Sequence, residues 1–101
     1  MTMRTDAVKF VEKTMPPPKT VRIQAPITTP RIKSEGLQGT VVTRCIISTS
    51  GAVENCCIEQ GVDGLNESVF NAVRQWRYEP YVWQGRTINL EYPIPVRIQR
   101  M

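Results

Sequence analysis

The sequence predicts an α+β domain in which a three-stranded antiparallel sheet is covered on one face by a single helix. Three stretches lead to this fold. Two β-branched runs joined by a turn lie between Gly39 and Glu59, an apolar stripe at helical spacing runs from Leu65 to Trp76, and a two-residue alternation fills Thr87 to Gln99.

The first run, Gly39-Thr40-Val41-Val42-Thr43-Arg44-Cys45-Ile46-Ile47, places Val41, Thr43, Cys45 and Ile47 on one face and Val42, Arg44 and Ile46 on the other. Ser48-Thr49-Ser50-Gly51 supplies turn chemistry before a second strand over Ala52 to Glu59. Its inward set, Val53 then Cys56 and Ile58, changes phase partway, and a β-bulge near Glu54-Asn55 accounts for the change. Gly61-Val62-Asp63-Gly64 ends the strand, with Asp63 as the expected N-cap of a helix from about Leu65 to Gln75. Leu65, Val69, Ala72, Val73 and Trp76 form its apolar stripe, and Asn66, Glu67, Asn71, Arg74 and Gln75 face water. Pro80 stops the helix, so the chain leaves it at about Trp76 to Tyr78, and Trp83-Gln84-Gly85-Arg86 reads as a turn. In the closing strand Ile88, Leu90, Tyr92, Ile94, Val96 and Ile98 share a face. Pro93 and Pro95 have no amide hydrogen to give, so they belong on a sheet edge or at a bulge and not in a central position.

Five of the eight prolines fall between Pro16 and Pro30, and Pro16-Pro17-Pro18 favours a stiff extended spacer. Residues 1–27 are therefore expected to form a flexible proline-rich linker and residues 28–101 the domain. Between Ala7 and Lys13 no pattern decides between a helical turn and an extended segment. The excess positive charge lies wholly in the first 38 residues, where seven basic side chains face three acidic ones. Beyond them six arginines balance six acids. A charged tail is a weaker nucleic-acid signal than a basic groove on a folded surface, so no nucleic-acid partner is expected.

No apolar run approaches the roughly 20 residues that span a bilayer, and Met1 to Met15 lacks the apolar centre of a secretory signal. The chain reads either as a cytoplasmic protein or as a soluble piece of a longer one. The absence of histidine and of clustered carboxylates argues against an enzyme, and no catalytic residue, metal or cofactor is expected. Cys45 and Cys56 can approach each other across the hairpin and oxidise. The simpler reading packs both as small hydrophobes, with Cys57 on the opposite face, because an odd cysteine count does not make a complete disulfide framework. Trp76 and Tyr78 are expected to close the core, whereas Tyr81 and Trp83 flank a turn and are the weaker candidates for a partner contact.

With these parts in order, residues 36–98 resemble the C-terminal domain of the TonB energy-transducer family. The resemblance rests on Gly39-Thr40-Val41, Ser50-Gly51-Ala52-Val53, Leu65-Asn66-Glu67, Arg74-Gln75-Trp76-Arg77-Tyr78-Glu79-Pro80, Gly85, and Pro95-Val96-Arg97-Ile98. Where the family carries a tyrosine-proline pair and a longer helix before the first glycine, this chain has Ile27 to Glu35. The resemblance implies the periplasmic domain of an inner-membrane-anchored protein, reached through a proline-rich spacer, that passes on force derived from the proton gradient. The implied partners are an outer-membrane receptor or another trans-envelope component, and an inner-membrane proton-channel complex engaged by a part of the protein N-terminal to this sequence.

A helix on a three-stranded sheet leaves edges open, and the expected docking edge is Thr87, Ile88, Asn89, Leu90, Glu91 and Tyr92, where an extended partner segment adds as a strand. A folded core of about 65 residues is marginal alone, so a homodimer through the same edge is an alternative. Other readings are a non-energised adaptor of a secretion or gliding-motility machine and, last, a small nucleic-acid-binding domain.

Overall fold

The two runs with the strongest β pattern form the longest ladder of the molecule. The computed structural model describes residues 6–99. In chain order its elements are β1 (Ala7–Lys9), β2 (Thr20–Arg22), α1 (Pro30–Glu35), β3 (Gly39–Ile47), β4 (Val53–Gln60), α2 (Asn66–Val73), β5 (Arg77–Tyr78), β6 (Val82–Trp83), β7 (Arg86–Thr87) and β8 (Asn89–Ile98). β3 and β8 pair antiparallel in unbroken register from Gly39↔Ile98 to Ile47↔Leu90.

The main sheet has four strands, in the order β1-β8-β3-β4, where the sequence predicts three. The added strand comes from the stretch assigned to the linker: β1 pairs parallel with β8 through Ala7↔Asn89, Val8↔Leu90 and Lys9↔Glu91. The closing strand, expected at the edge, is thus flanked on both sides over these residues. Other parts of the linker stretch also pack on the domain. Met15 is buried, the Tyr81 hydroxyl donates to the Pro16 carbonyl at 2.7 Å, and the Trp76 indole donates to the Gln24 carbonyl at 2.9 Å. β2 pairs antiparallel with β5. Backbone groups and buried rings of the domain take up this segment, a complementarity that its proline-rich composition does not reveal.

One face of the sheet is buried beneath α2, which lies over β3 and β4. Val41, Thr43, Cys45 and Ile47 of β3 meet Leu65, Val69 and Val73 there, all fully buried, as the two periodicities require. Thr43 is satisfied by donating to the Ile94 carbonyl. The phase change in β4 is the expected bulge. Val53 and Glu54 oppose Ile47 and Ile46, Cys57 opposes Arg44, and Asn55 takes φ 51°. Asparagine tolerates this left-handed region better than most residues. Val53 and Cys56 consequently both face inward.

The bulge decides the cysteine chemistry. Cys45 and Cys56 are joined as a disulfide with a Cα separation of 4.1 Å, in place of the two separate thiols favoured from sequence. The inserted residue turns Cys56 onto the face of Cys45, while Cys57 stays half-buried on the opposite face with its thiol against the Arg44 carbonyl.

Two helical details differ from expectation. Asp63 is not the N-cap: Leu65 holds that position without a side-chain bond, and Asp63 lies outside the helix, its carboxylate paired with Arg31 at 3.0 Å. The loop is instead closed by the Asn66 side chain, which accepts from the Val62 amide at 2.8 Å. The second is α1, which the sequence reading left unassigned. The Thr29 side chain accepts from the Ile32 amide, Pro30 starts the helix, and Ile32 is buried, so Thr29-Pro30 is an N-cap followed by a first-turn proline.

Gly51 is required where the hairpin turn meets the exit of α2. It adopts φ 86°, a Cβ there would overlap the Tyr78 carbonyl, and its own carbonyl accepts from the Tyr78 amide at 2.9 Å.

Candidate functional site

Proline chemistry sets the polarity of the β8 edge. Pro93 and Pro95 pair with Arg44 and Val42 of β3. Having no amide hydrogen, they occupy positions whose amide points away from β3. The main-chain groups of Asn89, Glu91, Pro93, Pro95 and Arg97 therefore face outward by alternation. Only Asn89 and Glu91 offer donors on this edge before the prolines interrupt it.

β1 occupies that window. The Phe10 amide donates to the Glu91 carbonyl at 3.0 Å, but the Phe10 carbonyl finds no donor at Pro93. The parallel ladder stops at Phe10 for this reason. The chain then turns away, with the Thr14 and Met15 amides both donating to the Val11 carbonyl. Side chains fix the two ends of β1. The Asn89 amide donates to the Asp6 carboxylate at 3.0 Å, and the Phe10 ring meets Tyr92 edge-to-face at 4.8 Å between centroids.

On the face away from α2, Arg44 crosses three strands. It donates to both Glu59 oxygens at 2.9 and 3.0 Å and to Glu91 at 3.3 Å. The bonds from Arg44 hold the Glu59 carboxyl below the ordinary carboxylate range, and the bond to Glu59 raises Arg44 in turn. Arg44 is thus engaged by two carboxylates and is not available to a phosphate.

The predicted site residues divide into three groups. Asn89, Leu90 and Glu91 form the rungs with β1, and Tyr92 carries the aromatic contact. Thr87 belongs to the small β6–β7 ribbon, opposite Val82, and the Ile88 amide donates to the Tyr81 carbonyl at 3.0 Å. Tyr81 is not a surface contact: it is 6 % exposed and its hydroxyl is bound to Pro16. Trp83 is half-buried against the core. Sequence reasoning did not single out Ala7, Val8, Lys9 and Phe10. The available signal was a short alternation, Val8 and Phe10 about Lys9, before the punctuation of Pro16-Pro17-Pro18.

Among the described residues no group of three or more histidine, cysteine, aspartate or glutamate side chains is placed to hold a metal ion. No helix among them is long and apolar enough to cross a membrane.

Comparisons with known proteins point one way. The family model described as "Gram-negative bacterial TonB protein C-terminal" matches residues 29–98. The chain is 26 % identical over 73 residues to Protein TonB of Vibrio cholerae serotype O1, covering 69 % of this chain and 30 % of that protein. It thus spans about a third of the length of this curated relative. The fold is similar to the solution structure of the Pseudomonas aeruginosa TonB CTD, with a TM-score of 0.61 at 22 % identity, covering 80 % of this chain and 84 % of the other. A family match over more than half of the sequence, joined to this α+β topology, makes the chain a member of the TonB C-terminal domain family.

Proposed function

We propose that this domain is the periplasmic, partner-docking end of an inner-membrane-anchored protein, and that it passes on energy derived from the proton gradient to an outer-membrane receptor or another trans-envelope component. Docking occurs by strand addition at the outer edge of β8, over Asn89 to Tyr92, since Thr87 is taken up by the β6–β7 ribbon and the Ile88 amide by Tyr81. The observation that carries this reading is the pairing of β1 with Asn89–Glu91: the edge is shaped to accept an extended, parallel segment, and backbone bonds supply its affinity. Family membership supports the energised role. The Cys45–Cys56 disulfide agrees with an oxidising compartment such as the periplasm. A non-energised adaptor of a secretion or gliding-motility machine would use the same edge.

The test is a titration of isotope-labelled protein with peptides from periplasm-facing segments of candidate partners. Amide shifts centred on Asn89 to Tyr92 are expected. Shifts confined to the α2 face or to the outer edge of β4 would overturn edge docking. Abolishing the partner's transport with an uncoupler, while peptide binding persists, separates the energised role from that of an adaptor.

A further inference from the structure

We infer that Arg22 and Arg77 form a receiving site for the carboxylates of an extended acidic segment of a partner protein, whose apolar side chains lie along Val21 and Ile23. This surface is separate from the β8 edge and does not depend on docking there. Arg22 and Arg77 are directly opposed in the β2–β5 pair, and residues so opposed share a face of the ribbon. The register shifts between Thr20 and Arg22, so Val21 and Arg22 both stand against Arg77. Two like charges in this position repel and weaken the pairing unless an anion lies between them. Among the described residues no carboxylate does so. Arg77 donates to the Trp76 carbonyl at 3.1 Å, and its neighbour on the other side is the uncharged Ala52. Arg22 is exposed and is bonded to no acid among the described residues. Arg31 and Arg44, by contrast, are each held by two carboxylates.

The apolar half of the site is equally open. Among the described residues the three most exposed large apolar side chains are Ile27 at 74 %, Val21 at 67 % and Ile23 at 60 %, all in this one stretch of the chain. The backbone that carries Val21 and Ile23 is nevertheless fixed. The Glu79 amide donates to the Lys19 carbonyl at 2.9 Å, and the Trp76 indole to the Gln24 carbonyl at 2.9 Å. β2 has β5 on one side and no strand on the other. Apolar side chains gathered on a fixed and uncovered strand mark a surface that another molecule completes. Beyond β2, Gln24 and Ile27 border a groove of about 560 Å³ whose other wall includes Asn66 and Asn71 of α2, and this gives an extended segment a path to continue. Glu79, exposed close to Lys19, decides the class of partner. A continuous anionic surface would bring negative charge against Glu79 as well. Carboxylates spaced along a peptide can meet the two guanidinium groups in the bidentate manner arginine favours and leave Glu79 in water. Because Val21 and Ile23 flank Arg22, the segment needs apolar side chains next to its acids.

The test is a titration of the isotope-labelled full chain at low salt with a blocked synthetic peptide in which glutamate and valine alternate, and with its counterpart carrying glutamine for glutamate. The expected result is amide shifts centred on Val21 to Ile23 and on Arg77, with the glutamine peptide bound at least about fivefold more weakly. Arg22→Gln and Arg77→Gln should each weaken binding of the glutamate peptide by about the same factor. Arg86→Gln, on the exposed β7 strand, should leave it unchanged. Because the opposed guanidinium groups repel, Arg22→Gln should also leave the unfolding midpoint unchanged or raise it, whereas loss of a merely structural arginine would lower it. Failure of the glutamate peptide to bind, equal affinity for the two peptides, binding that survives both substitutions, a lowered midpoint in Arg22→Gln, or shifts confined to Asn89 to Tyr92 overturns the inference. Equally tight binding of inorganic phosphate or of phosphatidylglycerol vesicles at the same residues overturns it too, because the pair would then be a general anion site. Docking at β8 is decided separately, by shifts at Asn89 to Tyr92 with candidate partner segments, and neither result there bears on the arginine pair.

Discussion

The Phe10 ring stands edge-on to Tyr92, with centroids 4.8 Å apart and planes at 88°. This contact joins the first strand of the chain to the last, and it falls where the ladder runs out of donors. Phe10→Ala should remove about 1 kcal/mol from the attachment of β1. Hydrogen exchange is expected to accelerate at Glu91, whose amide faces β1, while the unfolding midpoint of the whole domain changes little.

Gly51→Ala is expected to destabilise the domain by about 2–3 kcal/mol, measured by denaturant unfolding. Two causes act together: φ of 86°, and the overlap of a new Cβ with the Tyr78 carbonyl, which is backbone and cannot swing aside. Gly85→Ala is the control. It also has positive φ but nothing within 4 Å of the added carbon, so its cost should be the smaller.

Reduction of Cys45–Cys56 should lower stability by about 2–3 kcal/mol, since the bond closes a short loop in the unfolded chain and its sequence separation is 11. Both residues lie in the core, so reductant should act slowly on the native protein. Unfolding midpoints with and without reductant check the magnitude. Cys57, half-buried on the other face, should react with a thiol reagent before either of them.

Alkaline pH should unfold the protein cooperatively. Burial is the main cause that pushes the Tyr78, Tyr81 and Tyr92 hydroxyls above the ordinary tyrosine value. A phenol whose folded pKa is raised contributes stability in full below its unfolded pKa of about 10, and this is lost as pH rises towards the folded value. Tyrosinate absorbance is therefore expected to appear together with loss of near-ultraviolet circular dichroism above about pH 10. Independent titration of the three tyrosines in a folded protein would contradict this.

Periodicity alone determined much of this protein. The alternation in β3 and β8 assigned Val41, Thr43, Cys45, Ile47, Leu90 and Ile94 to the buried face, and the stripe from Leu65 to Val73 placed α2 over it. The turn at Gln84-Gly85 and the bulge at Asn55 were legible because each needs a particular backbone chemistry, whereas the helix expected to run to about Gln75 ends at Val73. α1 was also encoded, in Thr29-Pro30, and was passed over.

Tertiary structure decided what lies beside the outer edge of β8. Strand pairing is made by main-chain groups that every residue carries, so Ala7-Val8-Lys9 bears no side-chain label naming Asn89–Glu91 as its partner. The same limit applies to Tyr81, buried with its hydroxyl on a carbonyl 65 positions away, and to the joining of Cys45 and Cys56, which depends on a Cα separation of 4.1 Å that no local pattern states. A local pattern states which face of an element is apolar. Which distant backbone comes to lie against it depends on the whole chain closing at once.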